Sequence, residues 1–261
     1  MRADDAMPGT GVLRGTLAVP HGITLRDGGV SRAPFDSLNL GASVGDDPLA
    51  VTENRRRVAR HFGVEHRRVM RAHQVHGAVV LVAGEDAVGR EGDALVSDDP
   101  TWLLAVGAAD CLPVLIHDTR RGAVGAVHAG WRGAVAGVAL AAVAEMASRY
   151  GSDAGELDVW FGPAIRGACY QVGPEVIEAV AAAGGGGEAW WPDPTAQDRF
   201  RLDVPALVRA QLEAEGVPPA RISDSGVCTH CDPRCYSHRR DRGLTGRHWA
   251  VIRAAGPDRQ G

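Results

Sequence analysis

Short apolar runs recur along the chain, and each is bounded by glycine, proline or aspartate. They are rich in valine, leucine and isoleucine, a composition that predicts β-strands. The predicted strands cover residues 16–24, 78–83, 101–107, 112–118, 122–128, 157–165 and 248–252. The stretch 184–198 opens with a run of glycines and predicts a surface loop.

Three longer segments predict α-helices. Residues 48–62 follow Asp46 and Asp47, which can cap the helix. Residues 134–150 are rich in alanine with apolar positions at helical spacing, and residues 203–216 begin with a capping aspartate and end at a glycine. A short helix is expected after Pro174. Since strands and helices are interspersed without strict alternation, the pattern predicts an α/β (α+β) sandwich with mixed β-sheets.

Chain length and composition indicate how many domains the chain forms. The chain has 261 residues, of which 45% are hydrophobic, which is enough for one large domain, with two smaller lobes as the alternative. We expect a single domain over 15–254, a flexible leader over 1–14 and a flexible tail over 255–261.

Charge and hydropathy limit the partners and the cellular location that we expect for the protein. The formal net charge of -4 gives no electrostatic argument for a nucleic-acid partner. No run approaches the roughly 18 apolar residues of a membrane helix, and the N-terminus lacks the apolar core of a secretory signal. We therefore expect a cytoplasmic protein with reduced cysteines and no membrane partner.

Residues 122–133, GAVGAVHAGWRG, predict a strand that runs into a turn and then into a helix. His128 lies at the turn and Arg132 just beyond it. Two further candidates come from QVHG, with His76, and from ADCLPVLIHD, with Cys111. A turn between the strands 112–118 and 122–128 can bring Cys111 beside His128. Two imidazoles and a thiol suit zinc and leave a fourth position open. The alternative is that each histidine is a hydrogen-bonded structural group. His73, three residues before His76, is a spare ligand candidate.

A second group of cysteines lies in CTHCDPRC, which contains Cys228, Cys231 and Cys235. This spacing, with His230 inside it, can hold a structural zinc ion. A zinc knuckle normally has a distant partner pair, and none is visible in the sequence. The favoured interpretation is a loop of ordinary reduced thiols.

Several arginine side chains predict a binding site for an anion such as phosphate or carboxylate. Arg132 lies at the start of the predicted helix, where unpaired N–H groups favour negative charge. The segment YSHRRDRGLTGRH adds Arg239, Arg240 and Arg247, whose forked donors bind phosphate well. The alternative is that these arginines are solvated or paired with Asp241. The usual dinucleotide and Walker phosphate loops are absent from the sequence.

Taken in order, these motifs resemble the laccase-domain (YfiH-type) proteins, long labelled polyphenol or multicopper oxidases and now understood as purine nucleoside phosphorylases. The matching segments are GGVSRAPFDSLNLG (28–41), GDDP with ENRRR (45–57), QVHG (74–77), DALVS (93–97), ADCLPVLIHD (109–118), AVHAGWRG (126–133), GPAI with CYQVG (162–173) and SHRRDRGLTGR (237–247). The resemblance implies a YfiH-like fold akin to a group of cysteine hydrolases. It also implies one zinc ion per chain on His76, Cys111 and His128, with copper as the other candidate metal. The older oxidase label fits poorly, because the chain has only 10 histidines, none in repeated HxH pairs.

The activity that the resemblance implies is phosphorolysis of adenosine, inosine and S-methyl-5′-thioadenosine, with deamination of adenosine as a side activity. We expect Arg132, Arg239, Arg240 and Arg247 to bind phosphate, and Asp110 is a candidate acid/base for deamination. One alternative is a cysteine hydrolase that pairs Cys111 with His128. Another is a zinc-stabilised partner protein without catalytic activity, acting in cell division or envelope synthesis.

Overall fold

The computed structural model describes residues 11–256 and contains two large β-sheets in that range. The strands are β1 Val12–Leu13, β2 His21–Thr24, β3 Val69–Met70, β4 Val80–Val82, β5 Ala94–Ser97, β6 Leu103–Ala108, β7 Leu112–Asp118, β8 Val124–Ala129, β9 Leu157–Phe161, β10 Gln171–Val172, β11 Trp190–Pro192, β12 Phe200–Leu202, β13 Ile222–Asp224 and β14 His248–Ile252. The α-helices are α1 Pro48–His61, α2 Trp131–Val135, α3 Val138–Tyr150, α4 Pro174–Ala182 and α5 Val204–Ala214.

Both large sheets mix parallel and antiparallel pairs. The five-stranded sheet has the order β1-β2-β14-β6-β3, and the six-stranded sheet has the order β13-β9-β7-β8-β5-β4. In the first, β3 runs parallel to β6 while β14 runs antiparallel to it. In the second, β13 and β9 are parallel, as are β4 and β5, and the inner pairs are antiparallel. A small third sheet joins β10, β12 and β11.

Side chains from the two faces of the six-stranded sheet pack into two separate hydrophobic cores. In β8, Val127 and Ala129 pack under α3 and α5, whereas Val124 and Ala126 pack against β6 and β14 of the other sheet. Because both faces of this sheet are covered, β7 is buried along its whole length. Strands buried on both faces typically have nearly continuous apolar sequences. His128 is two residues after Ala126 in the same strand and therefore points to the same face, toward the five-stranded sheet.

A third core lies on the outer face of the five-stranded sheet, where Val58, Ala59 and Phe62 from the α1 region cover Val251 and Leu103. The layers are therefore α1, the five-stranded sheet, the six-stranded sheet, and α3 with α4 and α5. The predicted α/β sandwich with mixed sheets is confirmed. No helix among the described residues is long and apolar enough to cross a membrane.

Some predicted boundaries differ from those observed. The predicted helix 134–150 is wrong as a single element, because it is two helices, α2 and α3, that meet at Gly137 in the left-handed region at φ 75°. The predicted strand 16–24 is confined to His21–Thr24, and Trp190–Pro192 forms a strand within the predicted loop. Of the predicted leader, residues 1–10 lie outside the described residues, and Val12–Leu13 already pairs with β2. The predicted tail lies outside them from residue 257 on.

Candidate metal centre and cavity

The candidate metal ligands lie where the chain passes between the two large sheets. His76 is in the segment that leaves β3 of the five-stranded sheet and enters β4 of the six-stranded sheet. Cys111 lies in the short link between β6 and β7, which makes the same crossing. His128 lies near the end of β8, in register with Pro113 of β7. Three segments distant in sequence therefore deliver one side chain each to the same point.

The three side chains are close enough to share one ion. One donor atom from each of His76, Cys111 and His128 lies within 4.8 Å of the other two. The Cys111 Sγ is 3.9 Å from the His76 Nε2, and the two imidazole rings are 4.9 Å apart between centroids. Two ring nitrogens and a sulfur are a donor set typical of zinc, with room for water or substrate as a fourth ligand.

A buried carboxylate that the sequence did not single out, Asp93, organises this group. It has no exposed surface and accepts a hydrogen bond from the His128 Nδ1 at 2.9 Å. It also accepts from the backbone N–H groups of Val75, His76 and Gly77 at 2.7–3.1 Å. An ionised carboxylate can only accept, so the His128 Nδ1 carries a proton, and Nε2 is the nitrogen that can bind a metal ion once it is deprotonated.

Local backbone geometry also shapes the group. His76 adopts a left-handed conformation, with φ 61°, and the Asp93 contacts to the N–H groups on either side of it hold that conformation in place. Gly130 follows β8 directly, and a Cβ atom there would lie 2.7 Å from the His76 ring and 3.2 Å from the Cys111 Sγ. The motif HAGWRG therefore needs this glycine because the two ligands occupy the space of a side chain.

The electrostatics favour a thiolate beside an imidazolium in the protein without metal. Burial opposes ionisation of Cys111, but the adjacent His128 and His76 outweigh it and lower the pKa of Cys111 to about 6. Burial likewise opposes protonation of His128, but the Cys111 thiolate and Asp93 raise the pKa of His128 to about 9. The thiolate is both the metal-binding form and the nucleophilic form of cysteine.

These ligands line one wall of a cavity of about 690 Å³. Its lining also includes five arginines, namely Arg55, Arg71, Arg132, Arg239 and Arg247, together with Trp131, Tyr170 and Trp249. Within residues 11–256 none of these five arginines forms a salt bridge with a carboxylate. Uncompensated guanidinium groups in a concave site attract anions.

Three of the four arginines predicted from the sequence lie in this cavity. The Arg132 guanidinium stacks on Trp131 at 4.4 Å from the ring centroid. Arg239 stacks on Tyr170 at 5.0 Å, and one of its amino groups donates to the Gln171 carbonyl. Arg247 donates to the carbonyls of residues 245 and 246, and burial lowers its pKa.

Arg240 lies outside the cavity lining and is already fully engaged. Its guanidinium donates to the backbone carbonyls of Thr229, Asp232 and Cys235 and to the carboxylate of Asp241. The structure therefore does not bring Arg240 together with the other cations, and its contacts are those of a residue that ties a loop together.

Asp110 is next to a ligand and lines the cavity, but both of its carboxylate oxygens are occupied. One accepts the Thr229 hydroxyl at 2.6 Å and the other accepts the Arg239 backbone N–H at 2.6 Å. The residue also has a left-handed φ of 95°. Its contacts hold the loop that carries Arg239 against the metal-ligand loop.

Sequence reasoning missed Arg55 and Arg71, although Arg55 is part of the ENRRR motif. Their guanidinium groups lie at 5.5 and 5.4 Å from the ring of Trp249. Burial and the neighbouring Arg71 lower the pKa of Arg55 to about 10. No spacing rule links α1 to the segment after β3, so only the tertiary structure reveals this pair. The spare candidate His73 lines the cavity but is outside the group of close metal donors.

A sequence profile described as multi-copper polyphenol oxidoreductase laccase matches residues 20–255. The chain belongs to this laccase-domain family. Its relatives include a purine nucleoside phosphorylase of Deinococcus radiodurans, 42% identical over 94% of this chain and 93% of the relative. Another, a purine nucleoside phosphorylase of Streptomyces coelicolor, is 45% identical over 90% of this chain and 95% of the relative.

Two solved structures share this fold over most of the chain. The hypothetical protein YfiH of Bacillus licheniformis superposes with a TM-score of 0.89 at 31% identity, covering 97% of this chain and 98% of that protein. YlmD of Geobacillus stearothermophilus gives a TM-score of 0.85 at 36% identity, covering 90% and 92%. The predicted family membership and YfiH-like fold are confirmed.

Proposed function

We propose that this protein is a zinc-dependent purine nucleoside phosphorylase. One observation carries the proposal: three metal donors line the same cavity as five arginines that form no salt bridge with a carboxylate in the described part of the chain. Phosphorolysis needs a site for orthophosphate beside the glycosidic bond, and the relatives are named for that reaction. Adenosine, inosine and S-methyl-5′-thioadenosine are the proposed substrates, with deamination of adenosine as a side activity.

Phosphate binding is assigned to Arg132, Arg239 and Arg247. All three line the same cavity as the metal ligands. Arg132 lies four residues after His128, and the backbone N–H of Arg239 donates to Asp110, the residue before Cys111. The five-residue α2 contributes little helix dipole, and the guanidinium groups supply most of the positive charge. They would neutralise phosphate as its oxygen bonds to the ribose C1′ and the bond from C1′ to the purine nitrogen breaks.

The donor set of His76, Cys111 and His128 fits zinc better than copper clusters, which need more histidines. When bound, the ion would supply Lewis-acid polarisation in the cavity. Asp93 fixes the tautomer of His128 and the conformation of the His76 loop. Since both oxygens of Asp110 are engaged, we assign Asp110 to positioning Arg239 and leave the acid/base role to other groups.

The test is a product assay on the metal-loaded protein. Adenosine, inosine and S-methyl-5′-thioadenosine are incubated with and without phosphate, and the products are read by mass. We expect free base and ribose 1-phosphate (methylthioribose 1-phosphate from the third substrate) only when phosphate is present. Free base without phosphate, or no cleavage of any of the three nucleosides, would contradict the proposal.

Matched variants test the phosphate assignment. Loss of a charge-assisted hydrogen bond, about 1.5–3 kcal/mol, should lower kcat/KM for phosphate roughly ten- to a hundredfold in Arg132→Ala and Arg247→Ala. Arg149→Ala is the control, because Arg149 is an exposed residue near the end of α3 that pairs with Glu145 and does not line the cavity. Equal phosphate dependence in all three variants would remove Arg132 and Arg247 from the phosphate site.

A cysteine hydrolase is the second candidate, and the thiolate–imidazolium pair of Cys111 and His128 favours it. Elemental analysis and chelator treatment separate the two functions. A chelator-sensitive activity with zinc bound supports the phosphorylase. A metal-free active protein that is inactivated by alkylation of Cys111 supports the hydrolase.

A further inference from the structure

A second group of metal-binding side chains lies beside the cavity wall. It consists of Cys169, Cys228, His230 and Cys231, and we refer to it as the second cysteine cluster. The sulfurs of Cys169 and Cys231 are 3.4 Å apart, and one donor atom each from Cys169, His230 and Cys231 lies within 4.8 Å of the others. Cys228 is outside this group of close donors, but it lies three residues before Cys231 in the same turn, and its thiol interacts electrostatically with that of Cys169.

The fold brings this cluster together from two distant segments. Cys169 and Cys231 are 62 residues apart in sequence. Ala164 and Cys228 form an isolated parallel β-bridge, in which the Ala164 N–H donates to the Val227 carbonyl and the Thr229 N–H donates to the Ala164 carbonyl. This short pairing fixes the position of the Cys169 segment relative to the CTHC turn.

The CTHC segment forms a tight, hydrogen-bonded turn. The N–H groups of Cys231 and Asp232 both donate to the Cys228 carbonyl, at 3.1 and 2.9 Å. The turn therefore holds Cys228 near His230 and Cys231, and its C-x₂-C spacing is typical of structural zinc sites.

We propose that the second cysteine cluster binds a structural zinc ion through three thiolates and one imidazole. This Cys₃His set is a common closed ligand set for structural zinc, with all four positions supplied by the protein. The sequence predicted ordinary thiols because the CTHC turn lacks a distant partner in the motif. Cys169 is that partner, and it comes from another part of the chain.

Two neighbouring possibilities fit the contacts less well. Cys235, the third cysteine of the predicted motif, is fully buried, whereas Cys228 is in the same turn as His230 and Cys231 and interacts electrostatically with Cys169. A disulfide between Cys169 and Cys231 would use two sulfurs and leave Cys228 and His230 without a role. It would also require an oxidant, whereas zinc needs only that the thiols lose their protons.

This zinc ion would stabilise one wall of the cavity. Cys169 is followed by Tyr170, on whose ring Arg239 stacks, and Cys228 is followed by Thr229, whose hydroxyl donates to Asp110. An ion joining Cys169 to the CTHC turn would therefore hold Tyr170 and the Asp110 contact in place. The site does not depend on the proposed function, because it would act through position alone.

The first experiment measures zinc per chain after unbound metal has been removed. The wild-type protein should hold one zinc ion more than the double variant Cys169→Ser/Cys231→Ser, and also one more than His128→Ala. Cys235→Ala is the matched control, because it removes a cysteine of the same segment and should retain the wild-type zinc content. Equal zinc content in the wild type and the double variant would overturn the proposal.

A second measurement remains informative if the double variant does not fold. The Cys111→Ala variant lacks the one thiol of the first site, so any thiolate-to-cobalt charge-transfer band in its Co²⁺ complex comes from elsewhere. We expect a strong band that Zn²⁺ abolishes by competition. Absence of the band would overturn the second site, as would a non-reduced mass lower by two hydrogens after purification, which identifies a disulfide. Product assays on wild-type protein test the proposed function separately.

Discussion

The Nδ1 nitrogen of His128 is held by a buried carboxylate, and this contact explains much of the site. Nδ1 donates to the buried Asp93, which leaves Nε2 for a metal ion beside Cys111 and His76. The histidine and cysteine were predictable from their motifs. Asp93 was not, because an aspartate at the start of a strand has many ordinary uses, and only the fold shows its four N–H donors.

Asp93→Asn should weaken metal binding about 10- to 100-fold. The amide would direct its NH₂ group either at His128 and the His76 N–H or at the N–H groups of Val75 and Gly77. Competition with a chromophoric chelator measures the affinity. Asp86→Asn is a suitable control, since Asp86 is exposed. Unchanged zinc affinity would show that Asp93 does not support the ligands.

Gly130→Ala should reduce metal occupancy while leaving the fold intact. The added methyl group would fall 2.7 Å from His76 and 3.2 Å from Cys111, so the ligands must separate. Zinc content and circular dichroism are the measurements. Gly186→Ala is the control, because a Cβ atom there meets nothing within 4 Å. Full zinc occupancy in Gly130→Ala would contradict the steric argument.

Alkylation of Cys111 should report its lowered pKa. In chelator-treated protein the rate of modification should rise as pH increases through about 6, because the thiolate is the reactive form and an ordinary thiol ionises near 8.5. Mass spectrometry of the peptide containing Cys111 gives the rate, and Cys111→Ser provides the blank. A midpoint near 8.5 would contradict the ion pair with His128.

At the scale of elements, the break between α2 and α3 is the main departure from the predicted pattern. Apolar spacing and alanine content continue across residues 134–150, so the pattern indicates one helix. Gly137 at φ 75° ends α2 and redirects the chain into α3. A glycine inside a helical pattern does not by itself predict a break, since many helices tolerate one.

Gly137→Ala should destabilise the protein by about 1 to 2 kcal/mol, because a left-handed alanine is strained while a left-handed glycine is not. The open surroundings, with Leu140 no closer than 3.7 Å, leave backbone strain as the main cost. Urea unfolding measures the free energy. Gly137→Asn should lose less, since asparagine tolerates this conformation, and equal losses would point to packing instead.

At the scale of the whole molecule, the proposed zinc site connects the two large sheets. His76 and Cys111 lie in the two links that run from the five-stranded sheet to the six-stranded sheet. An ion bound to both links and to the end of β8 would restrain three segments that are otherwise held by the sandwich core. Metal binding should therefore appear as global stability, not only as activity.

Zinc should raise the Tm of chelator-treated protein. At free zinc 1,000-fold above Kd the gain is about 4 kcal/mol, which corresponds to roughly 10 °C for a domain of this size. Differential scanning calorimetry over a zinc series measures it. Cys111→Ala should show a smaller rise than the wild type. No zinc-dependent change in the wild type would contradict a metal that bridges the sheets.

The sequence by itself determined the mixed α/β sandwich, most of its strands and helices, the family, and the motifs that contain His76, Cys111 and His128. Apolar periodicity and local motifs carry that information because they depend on residues near one another in the chain. The tertiary structure alone decided what depends on long-range proximity. It placed Asp93 behind His128, added Arg55 and Arg71 to the cavity, set Arg240 apart from it, and brought Cys169 to the CTHC turn. These contacts join segments whose separation in sequence follows no fixed spacing, since folding sets their distance through sheet order and packing.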